Sequence, residues 1–160
     1  MSSRIRYEKV APLAVPALLN VENYVRKSGL ETKLLELVRL RASQMNGCAY
    51  CVDMHTKDAR AEGESEQRLY AVLVWRDSPF FTERERAALA WTEAITRIGE
   101  SRASDTVYQQ ALRQFNEKEM VDLTMAIIAI NSWNRLAIGF RAEVGSYQRP
   151  VGEVTSNSAA

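Results

Sequence analysis

The 160-residue chain contains two cysteines and one histidine. All three stand in NGCAYCVDMH, residues 46–55, as Cys48, Cys51 and His55. On a helix, with about 100° between successive residues, they fall within an arc of roughly 60°. Cys51 and His55 are four apart and therefore neighbours on the helix surface. The cysteines are three apart, close enough for a disulfide where the first turn permits it. Asn46-Gly47 favours a turn, so the helix should open just after Gly47. Its first turn then carries unpaired N–H groups and a partial positive charge. That field stabilises a thiolate, and the imidazole beside it can accept the proton. The chemistry this predicts is nucleophilic sulfur: one cysteine attacks, forms a sulfenate or mixed disulfide, and the other resolves it.

Other readings of the same residues compete. Two cysteines can be small buried hydrophobes, and one histidine can be a satisfied surface residue. Zinc would find three ligands in Cys48, Cys51 and His55. An acidic side chain would have to be the fourth, because no second Cys/His pair exists. Haem attachment needs His directly after Cys51, where Val52 stands. A thioredoxin fold needs a strand before the pair, and the preceding segment reads as helix.

The elements that must position these side chains are helices. A first should run from about Pro16 to Lys27 and stop at Gly29. A second covers about Glu31 to Met45, with Leu34, Leu37, Val38 and Met45 at the helical period. A third runs from about Cys48 to Glu62, stopped by Gly63. Ser65 reads as the cap of a short helix through Trp75. Thr82 to Glu85 has the form of a capping box opening a helix to Gly99. Ser104 caps a helix to about Phe115, and Asn116 opens one reaching about Arg141. The middle of that last helix, Met125 to Ile130, is apolar nearly all round, as in a helix central to a bundle or buried against another subunit. No run alternates as a strand would. The expected fold is an all-α bundle of about six or seven helices. It forms one domain over residues 1–145, followed by a polar tail, 146–160, that reads as an extended or mobile end.

Composition narrows the partners. The apolar fraction is 46%, the charged fraction 26% and the net charge +1. That balance gives no reason to expect nucleic acid or an anionic membrane surface. The most apolar stretch, VDLTMAIIAINSWNRLAIGF, carries Asp122 and Arg135 and is a poor membrane span. The N-terminus lacks the continuous apolar core of a secretion signal. The expected location is cytoplasmic, where a close cysteine pair is more often redox-active or metal-binding than structural. Trp75, Trp91 and Trp133 read as core or interface residues rather than the lining of a substrate pocket. In TERERAALAWTEA, Glu83, Glu85 and Arg86 read as an outward, solvated face.

One more residue enters through a resemblance. Glu36, then eleven residues, then Cys48-Ala-Tyr-Cys51, then three residues and His55, is similar to the pattern of the AhpD-like alkylhydroperoxidases of the carboxymuconolactone decarboxylase superfamily. The downstream WRDSPFFTERERAALAWTEAITRI also resembles the family, and the likeness spans roughly residues 15 to 140. It implies a thiol-dependent peroxidase acting on hydroperoxides without metal or organic cofactor. Cys51 would be the attacking cysteine, Cys48 the resolving one, His55 the base and Glu36 the carboxylate of a proton relay. Read without the family, Glu36 lies between Lys33 and Arg39 and looks like a paired surface residue. The resemblance also implies a dithiol or lipoylated-protein reductant and a homo-oligomer, a trimer or hexamer. Tyr50 stands where some members carry a second relay histidine. A phenol donates a hydrogen bond but is no base at neutral pH. The superfamily's lactone decarboxylases do not need the cysteine pair. A non-enzymatic redox-sensing disulfide is a further alternative.

Overall fold

The computed structural model describes residues 3–149. Its regular structure is entirely helical, with no strand among the described residues. In chain order the helices are α1 (Tyr7–Val10), α2 (Ala14–Arg26), α3 (Thr32–Asn46), α4 (Ala49–Ala61), α5 (Glu66–Ala71), α6 (Glu83–Thr96), α7 (Ile98–Ser101), α8 (Asp105–Leu112) and α9 (Glu117–Phe140). A 3-10 segment, Val72–Asp77, continues α5.

The caps explain most of the boundaries. The Ser65, Thr82 and Asn116 side chains accept from the N–H groups of Arg68, Glu85 and Glu119. Glu85 and Glu119 reach back to complete two capping boxes. Ser104 precedes α8 but makes no such side-chain bond. The count exceeds six or seven because α1 and α7 are single turns without a buried residue. Neither has an apolar period to be read. The helix expected from Ser65 to Trp75 leaves α geometry at Val72, and Val74 falls outside helical dihedrals altogether.

Two helices carry the core. Nine residues of α3 are buried, among them Glu36, Arg39 and Ser43 as well as its leucines. One apolar cluster joins its Leu34, Leu35 and Val38 to Val25, Trp91, Phe115, Leu123 and Ile127. A second joins Leu37 and Leu40 to Leu69, Val72, Trp75 and Leu89. α3 is therefore enclosed on both sides, not half-exposed as its period suggests. α9 packs against α2, α3, α4, α6 and α8, as its apolar middle requires. Ile127 is fully buried there, whereas Ile128 is exposed. Ile127→Ala should lower stability by about 2–5 kcal/mol, and Ile127→Val by about 1 kcal/mol. Urea denaturation midpoints check the ratio.

The run 82–94 is only partly the outward face expected. Glu83 is exposed, but Glu85 closes its cap and Arg68 pairs with it. Arg86 donates to the carbonyls of Trp75, Arg76 and Ser78 and braces the turn before α6. All three tryptophans are held by hydrogen bonds, to Glu93, Thr124 and Glu22. No helix among the described residues is long and apolar enough to cross a membrane. Of the polar tail, residues 146–149 have no regular secondary structure and are tied to the end of α4. Tyr147 and Arg149 bond to Asp58 and Glu62. Residues 150–160 lie outside the described range.

Candidate active site

The turn before α4 sets the site. α3 ends in a Schellman arrangement: Cys48 N–H donates to the Ser43 carbonyl (2.9 Å) and Gly47 N–H to that of Gln44 (3.2 Å). Gly47 holds φ +69°, which suits a residue without Cβ. The next residue, Cys48, is the N-cap of α4, so the helix proper begins at Ala49, one position after the start expected. Its sulfur accepts from Cys51 N–H at 3.3 Å. Cys48 and Cys51 form a disulfide, with Cα atoms 5.3 Å apart. Both are almost inaccessible, at 1% and 2% exposure. Ala137 of α9, Tyr50 and Ala142 pack around them. Tyr50 thus serves as packing. The sulfurs are bonded to each other, so the three-ligand zinc set is not formed in this state.

The cap is fixed to α9 by an amide cluster. Asn46 donates to Asn131 (2.9 Å) and Asn134 (2.8 Å), and Asn134 donates to Ser43 (3.1 Å). These bonds satisfy buried polar groups that would otherwise be costly, and they fix the end of α3 where the cysteines begin.

Glu36 is where the sequence alone misleads. It is 5% exposed, not solvated. Its Oε2 lies 2.8 Å from His55 Nδ1 and its Oε1 2.6 Å from Arg39 Nη1. Arg39 also donates to Glu22 of α2 at 2.8 Å, and Glu22 accepts from Trp133 of α9 at 3.0 Å. A chain of Trp133, Glu22, Arg39, Glu36 and His55, half-buried at Trp133 and Glu22 and buried beyond, therefore crosses four helices. Burial raises the Glu36 carboxyl, but the His55 hydrogen bond and the charges of His55 and Arg39 outweigh it and leave the group below its ordinary value. An ionised Glu36 only accepts, so Nδ1 carries the hydrogen and Nε2 is left as the open nitrogen. Nε2 is buried and finds no hydrogen-bond partner among the described residues. An orphaned buried acceptor costs about 1–3 kcal/mol.

Three residues not singled out from the sequence complete the surroundings. Glu22 closes the chain behind Arg39. Asp58 places a carboxylate oxygen within 4.8 Å of ligating atoms of both Glu36 and His55. Tyr147 donates to Asp58 at 2.8 Å. Asp58 was legible as a spacing: it follows His55 by three, on the face that Cys51 and His55 define. Glu22 and Tyr147 carry no such signal. Glu36, His55 and Asp58 could hold a cation, but both Glu36 oxygens and one Asp58 oxygen already have partners. Two clefts of about 470 and 380 Å³, beside Trp75 and beside Glu93, are not lined by either cysteine.

An all-helical bundle with a CxxC disulfide at one helix start and a buried Glu–His couple behind it is an AhpD-like architecture. The chain belongs to the carboxymuconolactone decarboxylase family, whose model matches residues 12–94. It is 42% identical over 138 residues to the uncharacterized protein YdfG of Bacillus subtilis, covering 86% of this chain and 94% of that one. A solved structure from Agrobacterium tumefaciens, described as a protein of unknown function and candidate antioxidant defence protein AhpD, shares 47% identity. Its TM-score is 0.88, over 91% of this chain and 100% of that one. The debrominase Bmp8 shares the fold at 19% identity and TM-score 0.76, over 84% of this chain and 73% of that one. The fold thus serves more than one chemistry.

Proposed function

We propose that the protein is a thiol-dependent peroxidase that reduces organic hydroperoxides through Cys51, with Cys48 as the resolving cysteine. The observation that carries this reading is the unpartnered, buried Nε2 of His55, four residues from Cys51 and fixed in tautomer by Glu36. In the disulfide state Cys51 has no proton to offer, which accounts for the orphaned nitrogen. In the reduced state Nε2 takes the Cys51 thiol proton. The thiolate attacks the terminal peroxide oxygen and the O–O bond breaks. The alkoxide leaving group receives the proton from His55, giving an alcohol and a Cys51 sulfenic acid. Cys48 attacks that sulfur, and its thiol proton leaves with the hydroxyl as water. A dithiol reductant, of the free or lipoylated-protein kind, then exchanges with the disulfide and is itself oxidised. Two thiols and one hydroperoxide become a disulfide, an alcohol and water, so no other redox group is needed.

The test is a screen of organic hydroperoxides with dihydrolipoamide as reductant. Continuous turnover proportional to enzyme supports the reading. A second reading, a redox-sensing disulfide without turnover, is favoured by the burial of both sulfurs. Its signature is one equivalent of peroxide consumed per chain and nothing further.

A further inference from the structure

The C-terminal strap, residues 142–149, brings one hydroxyl into the site, and it lands on a carboxylate that the proposed cycle has not used. We propose that Asp58, held by Tyr147, is a positioning residue that stabilises the protonated imidazole of His55 at the moment it holds the Cys51 proton. The role rests on the peroxidase reading, because the proton concerned is that of the attacking thiol.

The argument begins with charge. His55 is 5% exposed, so water does little for an imidazolium there. Glu36 faces it at 2.8 Å, but the other Glu36 oxygen is committed to Arg39 at 2.6 Å, and Arg39 is shared with Glu22. Glu22, Arg39 and Glu36 together carry one negative charge, spread along a chain that runs away from His55. Asp58 is the second carboxylate, outside that chain and on the same helix as His55. Its ligating oxygen lies within 4.8 Å of ligating atoms of both His55 and Glu36. At such a separation one opposite charge favours an ionised group by about one to three pH units.

Asp58 answers to its other neighbours as well. Burial and the nearby Glu36 hold its carboxyl above its ordinary value, against the pull of the Tyr147 hydrogen bond and the charges of His55 and Arg149. Tyr147 is itself placed by Lys57, which donates to its carbonyl at 3.1 Å, and by Arg149, which pairs with Glu62 at 2.6 Å. The groups around Asp58 are thus Glu36 and Arg39 from α3, His55 and Lys57 from α4, Glu62 just beyond its end, and Tyr147 and Arg149 from the strap. None of the three cations among them besides His55 contacts Asp58 directly. Lys57 and Arg149 bond elsewhere, and Arg39 is occupied by its two glutamates.

The single histidine makes the test direct. The ring signals of His55 are titrated by NMR in the oxidised protein, where no thiol competes for the proton. Asp58→Asn should move the His55 midpoint down by about one pH unit or more. Asp58→Glu should restore at least half of that displacement. Tyr147→Phe should move it in the same direction by a smaller amount. The midpoint in Asp58→Asn staying at the wild-type position, or rising, overturns the proposal. Asp58→Glu behaving like Asp58→Asn does so too, since it would mean that packing and not charge is at work. The titration consumes no peroxide, so it separates the two ideas. A shifted midpoint in a protein that turns over no hydroperoxide keeps the role of Asp58 and removes the peroxidase. Turnover with an unmoved midpoint does the reverse.

Discussion

Cys51→Ser abolishes peroxide-dependent oxidation, and Cys48→Ser leaves a sulfenic acid trapped at residue 51. These are the expected results of unequal roles for two sulfurs that lie equally deep. Two forces favour different cysteines. Cys48 is the N-cap of α4 and sits nearest its unpaired N–H groups, and its sulfur already accepts from Cys51 N–H. The dipole effect fades within one turn and is worth less than about 2 kcal/mol. Cys51 has the base. His55 lies one helical turn on, its ring orientation fixed by Glu36, with Nε2 free. A base removes the proton in every cycle, whereas the dipole only biases an equilibrium. The sulfur bond to Cys51 N–H also helps Cys48 to leave as a thiolate when a reductant attacks Cys51. A dimedone-type probe and mass spectrometry read the site of labelling. Labelling of Cys48 in Cys51→Ser at the wild-type rate would reverse the assignment.

Glu36→Ala should damage both activity and fold. Loss of the carboxylate releases His55 Nδ1 and slows the first oxidation step by about 10². It also leaves Arg39 buried with Glu22 alone. Breaking a buried pair by removing one partner costs about 3–5 kcal/mol, and the surviving Glu22 contact places the loss near the low end. For a domain of this length that lowers Tm by roughly 6–12 °C. The acid side gives an independent sign. Glu36 titrates below its ordinary value in the folded protein despite its burial, because His55 and Arg39 hold it ionised. A carboxyl depressed on folding contributes stability that is fully present above its unfolded value near 4.5 and is lost as pH falls through the lower folded value. Urea denaturation from pH 7 to pH 3 should therefore show a shallower acid decline in Glu36→Ala than in wild type. A decline as steep as wild type would mean that Glu36 is not the group carrying it.

The parts of this molecule written in local patterns were legible from the chain. Caps at Ser65, Thr82 and Asn116 mark helix starts because a side-chain oxygen must meet the N–H groups just beyond it. Gly47 marks the turn because its backbone is left-handed. The three-residue spacing of the cysteines announced the disulfide. What was not legible depends on enclosure. Glu36 looks like a surface residue because nothing in its neighbours says that α3 is covered on both sides. The packing of α4, α6 and α9 on α3 makes it interior, and Glu22, ahead of it on α2, is the second carboxylate that lets Arg39 be buried beside it. Tyr147 belongs to the same class. It is an unremarkable aromatic in a polar tail until the chain folds back on α4. The resemblance to a known family supplied Glu36 in advance; the spacing of Asp58 could have been read but carried no chemistry by itself.

The disulfide lies under Ala137, Tyr50 and Ala142, with the strap that begins at Ala142 fastened farther along by Tyr147 and Arg149. Thiol–disulfide exchange needs the incoming sulfur in line with the bond, and at 1–2% exposure that line is closed. Arg141, which joins α9 to the strap, is a non-glycine residue held at φ 57°, a conformation such residues seldom adopt. An opening that must precede attack would divide reduction into two stages, of which only the second depends on how much reductant is present. At high reductant the rate levels off at the frequency of opening. A reduction rate that keeps rising in proportion to dithiothreitol, with no plateau, would show that no opening limits it.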